Sequence, residues 1–187
     1  MDTRTQILKI ASDLLQRQTL NGFSLQDVAD RVGIRKASLF HHYRNKEALV
    51  ADVLSTSLDG FRKRIEALQN QPAQRQLEGF LDIYQRQIGA GSRLCAVSAV
   101  AGDWDHLGDE LRQLSRKLLD EQFSWLARIA ELGGHARNGE EAEAWAEQIL
   151  IRIQGAMLVS RIRNSPLPLE RCITQLRHEW INSTPAD

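Results

Sequence analysis

Apolar residues recur along most of this chain with the three-to-four-residue spacing of helices that bury one face. The pattern begins over Ile7–Leu15 and returns in a shorter form over Leu25–Val32. A long periodic stretch starts after Asn45 and is interrupted at Gln71-Pro72. Further helices are expected over residues 73–88, about 93–102, 107–132, 140–163 and 167–181. Because no alternating strand pattern flanked by hairpin turns is found, the sequence predicts an all-α protein of about nine helices.

Residues 24–47 are predicted to form two short helices joined by a glycine turn. Ser24 and Asp27 have the S-x-x-D spacing of a capping box, which marks the start of the first helix. Gly33 should end it, since glycine enters the left-handed conformation at little cost. The second helix is expected from residue 35 or 36 to residue 42. This arrangement is typical of a helix-turn-helix that reads DNA.

Helical periodicity divides the second short helix into two faces. Leu39 and Tyr43 fall on the inward face, whereas Ala37, Ser38 and His41 fall on the opposite one. Small side chains let a helix backbone enter the major groove, and a hydroxyl and an imidazole can hydrogen-bond base edges or phosphates. The outward face therefore has the chemistry of a DNA-reading helix.

The net charge of the 187-residue chain is zero, but the charge is unevenly distributed. Residues 1–50 contain eight basic and five acidic residues, so this part carries +3 and the rest carries −3. The positive part coincides with the helix-turn-helix, as phosphate binding requires.

The segment from Thr5 to about Leu54 resembles the DNA-binding domain of TetR-type (TetR/AcrR) transcriptional regulators. The matching residues are Ile7, Ala11, Leu14, Gly22–Leu25, Val28-Ala29, Val32–Ile34, Lys36–Tyr43 and Asn45–Leu49. The resemblance implies a three-helix DNA-binding domain over residues 1–47. It also implies a helical bundle for ligand binding and dimerisation over residues 48–187.

The same resemblance implies which residues contact DNA. Phosphate contacts are expected from Ser24, Lys36, Phe40, His41, His42 and Lys46, and base contacts from Arg35, Ala37 and Ser38, with His41 in either group. Many members have tyrosine where this chain has Phe40. Since phenylalanine lacks the hydroxyl, a phosphate hydrogen bond is lost there, while packing against a sugar or a thymine methyl is retained.

The resemblance further implies a homodimer that binds a palindromic operator and is sealed by the last two long helices. The expected interface residues are Ile151, Gly155, Ala156, Val159, Ile173, Leu176 and Trp180. Glycine costs about 1 kcal/mol inside an exposed helix, so a close-packed partner helix would explain Gly155. An intramolecular core is the alternative for these residues.

The resemblance also implies a small-molecule effector that binds among the middle helices and releases the DNA. The expected lining residues are Phe80, Tyr84, Ile88, Leu94, Val97, Trp104, Leu118, Phe123 and Trp125, and plain core packing is the alternative for each. Their character favours a hydrophobic or aromatic compound. The sequence does not decide whether the protein represses or activates transcription.

Cys95 suggests a second mode of control. It lies near a predicted helix start and two residues from Arg93, and both features favour a thiolate. Residues 92–132 resemble a branch of the family in which some relatives sense electrophiles or oxidants through a cysteine. The alternative is a buried small hydrophobe. A regulator without a small-molecule ligand, controlled by modification of Cys95 or by a protein partner, is therefore a second hypothesis.

Several other classes are not indicated. The chain has no G-x-S-x-G, P-loop, G-x-G-x-x-G or HExxH motif, so we expect neither an enzyme nor a cofactor. His41 and His42 are adjacent and diverge on a helix, so no metal site is expected. Two cysteines do not form a disulfide framework. The N-terminus lacks the apolar core of a signal peptide and no apolar run would span a membrane, which favours a cytoplasmic protein.

Overall fold

The computed structural model describes residues 2–87 and 92–183, and all regular structure within these ranges is helical. The predicted all-α fold of about nine helices is thereby confirmed for the part of the chain described. The α-helices are α1 (Thr3–Gln18), α2 (Leu25–Val32), α3 (Lys36–Phe40), α4 (Lys46–Leu68), α5 (Ala73–Asp82), α6 (Ala96–Ala101), α7 (Asp109–Leu132), α8 (Gly139–Arg163) and α9 (Leu167–Ser183). A π-helical turn, Ile83–Gln87, follows α5, and a 3-10 turn, Trp104–His106, precedes α7.

The bounds of the last three helices agree with the prediction to within two residues, whereas two earlier helices after residue 70 differ by more. The expected helix over 73–88 changes at Ile83 into the π-helical turn, and Ile88 lies outside the described residues. The expected helix over 93–102 is shorter, because Cys95 is extended and its Sγ accepts a hydrogen bond from the Ser98 amide. Periodicity reports the buried face of a helix but not the residue at which it ends.

The chain divides into two compact units, and the first unit comprises Met1–Gly60 and Leu94–Leu118. It is larger than the predicted domain over residues 1–47, because α6 packs on α1 in the same apolar core. Backbone hydrogen bonds reinforce this packing: the Leu94 amide donates to the Gln16 carbonyl at 2.9 Å, and the Leu20 amide to that of Ala99 at 3.3 Å. The assignment of DNA binding to residues 1–47 and of ligand binding and dimerisation to 48–187 stays a prediction.

The second unit comprises Phe61–Arg93 and Leu119–Asp187. Its core contains an aromatic cluster of Phe61, Phe80, Tyr84 and Trp125, with contacting ring centroids 5.3–6.2 Å apart. Helices α8 and α9 pack together. Buried Ser160 accepts a hydrogen bond from the Leu169 amide at 3.0 Å, so the start of α9 is fastened to the end of α8.

No helix in the described part of the chain is long and apolar enough to cross a membrane.

Gln76 is a buried polar residue whose hydrogen bonds we expect to stabilise the second unit. Its Oε1 accepts from Trp125 Nε1 at 3.1 Å, and its Nε2 donates to the carbonyls of Gln69 (3.2 Å) and Gln71 (2.8 Å). Gln76→Leu leaves these partners without the side chain, so the free energy of unfolding in urea should fall by about 1–3 kcal/mol. Gln74→Leu, on the exposed face of the same helix, is the control and should change it by less than about 0.5 kcal/mol. Equal effects would mean that these bonds contribute nothing specific.

Candidate nucleic-acid interface

Helix α2 begins and ends as predicted. Ser24 Oγ accepts a hydrogen bond from the Asp27 amide at 3.3 Å, and the Ser24 amide donates to Asp27 Oδ2 at 2.7 Å. The bonds from Ser24 lower the pKa of the Asp27 carboxyl, so this box is fully formed at neutral pH. Gly33 ends the helix in the left-handed region, with φ of 79°. The capping box and the glycine turn are both confirmed.

Helix α3 has only five residues and is fixed by two buried side chains. Leu39 is completely buried and Tyr43 is 6% exposed, which confirms the predicted inward pair. The amides of His42 and Tyr43 both donate to the Leu39 carbonyl at 3.0 Å, so the chain turns away directly after the helix. The helix ends at Phe40, two residues earlier than predicted.

Most of the predicted DNA contacts lie on the surface of the first unit. Seven of the nine are exposed, and two are half-buried. The exposed residues are Ser24, Arg35, Lys36, Ala37, Phe40, His41 and His42, and the half-buried ones are Ser38 and Lys46. Residues 35–46 contain four basic residues, two histidines and no acidic residue. This segment therefore offers a polyanion an exposed basic surface with one exposed aromatic ring, that of Phe40.

Ser24 has a structural role besides its predicted contact with DNA. Its hydroxyl donates to Asp27 Oδ2 at 2.7 Å, so a phosphate contact from that hydroxyl would compete with the cap. The predicted contact of Ser24 with phosphate stays a prediction.

Lys46 has a structural role that the sequence did not reveal. Its Nζ donates to the carbonyls of Leu20 (2.8 Å) and Phe23 (3.1 Å) and lies 5.3 Å from the centroid of the Phe23 ring. Lys46 thus fixes the loop between α1 and α2, and two of its three ammonium donors are used there. No local sequence signal identifies a contact that spans more than 20 residues of chain.

The start of α4 is fixed by two side chains. Asn45 Oδ1 accepts from the Ala48 amide at 2.8 Å, which confirms the predicted cap. Glu47 Oε1 accepts from the Gly108 amide at 3.1 Å, and a Cβ at Gly108 would lie 2.0 Å from that oxygen. A larger residue at position 108 would displace the Glu47 carboxylate, and the present hydrogen bond ties α4 to the loop before α7 within the first unit.

The predicted effector-lining residues are distributed over both units. Phe80, Tyr84 and Trp125 meet in the aromatic cluster of the second unit, which also contains Phe61, a residue absent from the prediction. Phe123 is half-buried in that unit, whereas Leu94, Val97, Trp104 and Leu118 belong to the first. Tyr84 donates to the amide oxygen of buried Gln122. The role of all these residues in binding an effector stays a prediction.

The first unit also contains a polar cleft of about 660 Å³ that the sequence did not predict. It lies between the start of α4 and the first turns of α7, and none of the predicted lining residues borders it. The lining residues are His42, Tyr43, Arg44, Ala48, Ala51, Asp52, Ser55, Glu110, Gln113, Leu114 and Lys117.

The predicted interface residues divide into an exposed and a buried group. Ile151 (64% exposed), Gly155 and Val159 lie on the surface of α8, and Ala156 is half-buried. Ile173, Leu176 and Trp180 of α9 are 7% exposed or less. These three residues pack in the core of their own unit, as the intramolecular alternative expects, and their place in a dimer interface stays a prediction. Leu158 and Ile162, which are not among the predicted interface residues, are also exposed on α8 next to the first group.

Cys95 lies at the start of α6, as predicted, and is 7% exposed. Its Sγ lies 3.3 Å from the Ser98 amide nitrogen and 3.2 Å from the Ser98 Oγ. The thiol therefore acts as a helix cap, and its role as a sensor stays a prediction.

Comparison with known proteins gives the helix-turn-helix region its clearest relatives. Residues 7–53 match the family model described as "Bacterial regulatory proteins, tetR family". The HTH-type transcriptional repressor KstR2 of Rhodococcus jostii is 39% identical over 56 residues, which are 30% of this chain and 28% of that protein. The chain thus matches less than a third of the length of this curated relative.

Other similarities extend over the whole chain at lower identity. The HTH-type transcriptional repressor NemR of Escherichia coli is 24% identical over 99% of this chain and 96% of that protein. A TetR transcriptional regulator from Legionella pneumophila has a TM-score of 0.84 at 24% identity, covering 99% of this chain and 98% of that one. The crystal structure of reduced NemR has a TM-score of 0.76 at 22% identity and covers both chains completely. The fold of these regulators therefore continues beyond the helix-turn-helix.

Lys46 holds a loop of the first unit, whereas Lys36 is exposed and is expected only to contact phosphate. Removing these two side chains should therefore affect the stability of the free protein differently. Lys46→Ala removes two hydrogen bonds from a charged group, so the free energy of unfolding should fall by about 1–3 kcal/mol. Lys36→Ala, at the exposed start of α3, should change it by less than about 0.5 kcal/mol. Urea unfolding of both variants without DNA makes the comparison. An unchanged stability of Lys46→Ala would show that the loop does not depend on this lysine.

Proposed function

Because residues 7–53 match the model of the tetR family of bacterial regulatory proteins, we propose that this protein is a DNA-binding transcriptional regulator. In this proposal it is a cytoplasmic homodimer that represses transcription from a palindromic operator and is released by a small molecule. The observation that most directly supports DNA binding is the segment 35–46, in which Arg35, Lys36 and Arg44 are exposed and which contains no acidic residue. Two relatives are named transcriptional repressors: KstR2, which matches part of this chain, and NemR, which matches nearly all of it.

The geometry of the first unit supports insertion of α3 into the major groove. Leu39 and Tyr43 anchor the helix, so its exposed side faces outward with Arg35 and Ala37 near its start. Arg35 is suited to a guanine edge, and the small side chain of Ala37 permits close approach to a thymine methyl. The residues that flank this face, Lys36 and His42, would then neutralise phosphates and fix the register.

Selection of bound sequences from random double-stranded DNA tests this proposal. We expect an inverted repeat whose half-sites are about one helical turn apart, since each subunit presents one reading helix. Ser38→Ala should change the preferred base at one position of each half-site. Lys36→Ala should weaken binding to every sequence and lower the slope of log K against log salt by about one per subunit.

A different outcome would contradict the assignment. No enrichment of any sequence would reject specific DNA reading, and an enriched site without two-fold symmetry would reject the dimer model. Sequence-selective loss from Lys36→Ala would show that the base-reading and phosphate-contacting roles are misassigned.

The exposed apolar residues of α8 support the homodimer. Ile151, Leu158 and Ile162 are at least half exposed in the single chain, and Gly155 lies among them with nothing within 4 Å of an added Cβ. A second copy of the same helix would remove these side chains from water. Glycine would permit the two backbones to approach closely.

A matched pair of glycines tests this interface. Gly60 in α4 and Gly155 in α8 are both exposed helical glycines with open space around them in one chain. Gly60→Ala should increase the free energy of unfolding by up to about 1 kcal/mol, because alanine is the better helix former. Gly155→Ala should instead raise the dimer dissociation constant in sedimentation equilibrium. The same stabilisation in both variants, with unchanged dimerisation, would place the interface elsewhere.

The proposal includes release of the protein from DNA by an effector. The aromatic residues of the second unit favour a hydrophobic or aromatic compound in this role. The alternative is a regulator without such a ligand, controlled by modification of Cys95 or by a protein partner. A compound panel measured by thermal shift discriminates them, since a ligand that binds the folded state raises Tm. Operator release by an electrophile from the wild type but not from Cys95→Ser would favour the alternative. Serine retains the cap of α6, so this substitution leaves the helix start intact.

A further inference from the structure

A single carboxylate oxygen of Asp52 joins three elements of the first unit. Asp52 Oδ2 accepts a hydrogen bond from the Tyr43 hydroxyl at 2.5 Å and another from Arg4 Nη2 at 2.6 Å. Asp52 belongs to α4, Arg4 to the first turn of α1, and Tyr43 to the turn that follows α3. The carboxylate therefore connects the end of the reading helix to both neighbouring helices.

The direction of these bonds is fixed over the physiological pH range. Burial is the main cause that raises the pKa of Tyr43 to about 12, and the hydrogen bond to Asp52 is the second. The phenol therefore remains protonated and donates its hydrogen bond to Asp52. The charge of Asp52 raises the pKa of the Arg4 guanidinium, which stays a cation. The Asp52 carboxylate is thus paired with one neutral donor and one charged donor.

Packing alone does not account for the tyrosine hydroxyl. The ring of Tyr43 fills the core beside Leu39, and a phenylalanine would fill the same space. Burying a hydroxyl is unfavourable unless it finds a partner, and here the partner is a charged residue on the next helix. The ring thus holds Tyr43 in the core, and the hydroxyl fixes the position of Tyr43 relative to α4.

Tyr43 directly follows His41 and His42, both of which are exposed and expected to contact DNA. A side chain that fixes Tyr43 also limits where these two imidazoles can lie. Asp52 itself carries the wrong charge for a phosphate contact, and Arg4 neutralises it.

We propose that Asp52 is a positioning residue for DNA reading, which acts through Tyr43 to hold the end of α3 and the following histidines in place. This inference rests on the proposed function, because its effect is measured as DNA affinity. Arg4 supports the carboxylate in this role by compensating its charge.

The test compares Tyr43→Phe, Asp52→Asn and the double variant, using the DNA sequence selected by the wild type. Tyr43→Phe should weaken binding by about tenfold, the scale expected for one lost hydrogen bond to a charged group. Asp52→Asn should weaken it by less, because its amide oxygen still accepts from the Tyr43 hydroxyl but carries no charge. The double variant should bind no more weakly than Tyr43→Phe, since Asp52 acts through the hydroxyl that Tyr43→Phe already lacks. The salt slope should stay at its wild-type value, because no phosphate contact is removed.

Asp59→Asn is the matched control, since Asp59 is an exposed acid on the same helix and in the same unit. Removing an acidic charge from a DNA-binding unit should by itself leave binding unchanged or strengthen it. If Asp52→Asn weakens DNA binding and Asp59→Asn does not, the loss of an acidic charge cannot explain the weaker binding, because that loss alone would strengthen binding or leave it unchanged.

A spectroscopic measurement on the free protein accompanies the binding data. The chain has two tyrosines, Tyr43 and Tyr84, so absorbance of tyrosinate in Tyr43→Phe identifies the ionisation of Tyr84. In Asp52→Asn the ionisation of Tyr43 should move to lower pH, because the carboxylate no longer disfavours the phenolate. Circular dichroism checks that each variant is folded.

The possible outcomes separate this inference from the proposed function. If the wild type selects no DNA, both are rejected. If the wild type binds and folded Tyr43→Phe binds as tightly, the positioning role is rejected while DNA reading stands. A reduced salt slope would also reject it, because that result indicates a lost phosphate contact.

Discussion

The burial of Leu39 and Tyr43 is the interaction on which the reading surface depends. A helix of five residues is not stable by itself in water, because nucleation costs more than so few hydrogen bonds return. Helix α3 exists because these two side chains enter the core formed by α1, α2 and α4. Since Leu39 occupies one side of the helix and Tyr43 anchors the turn that follows it, the other side of the helix must face solvent. Its small and basic residues become available to a partner.

The rest of the first unit keeps this short helix in a defined position. The capping box and Gly33 determine how α2 enters the turn. Lys46 holds the preceding loop through two carbonyls, and Glu47 holds the loop before α7. Side chains of α4 thus bond to segments on both sides of the reading helix. The packing of α6 on α1 extends this unit beyond the helix-turn-helix, which gives residues 94–118 a direct place in the core that supports α3.

What the sequence predicted correctly depends on local signals. The capping box, the glycine turn and the inward pair Leu39 and Tyr43 follow from spacing within a few residues, and all are present in the structure. The contact of Lys46 with Leu20 joins distant parts of the chain and has no local signature. Periodicity also identified the buried face of α9 without showing whether its own chain or a second copy covers it. The structure assigns Ile173 to the intramolecular core.

The central claim is that α3 and its flanks are the surface that reads DNA, and chemical-shift mapping tests it most directly. Amide spectra of the labelled protein are compared with and without its selected DNA. The account predicts large shifts for residues 35–42 and the start of α2, with small shifts for α8 and α9. Large shifts confined to residues outside the first unit, with residues 35–42 unchanged, would contradict it.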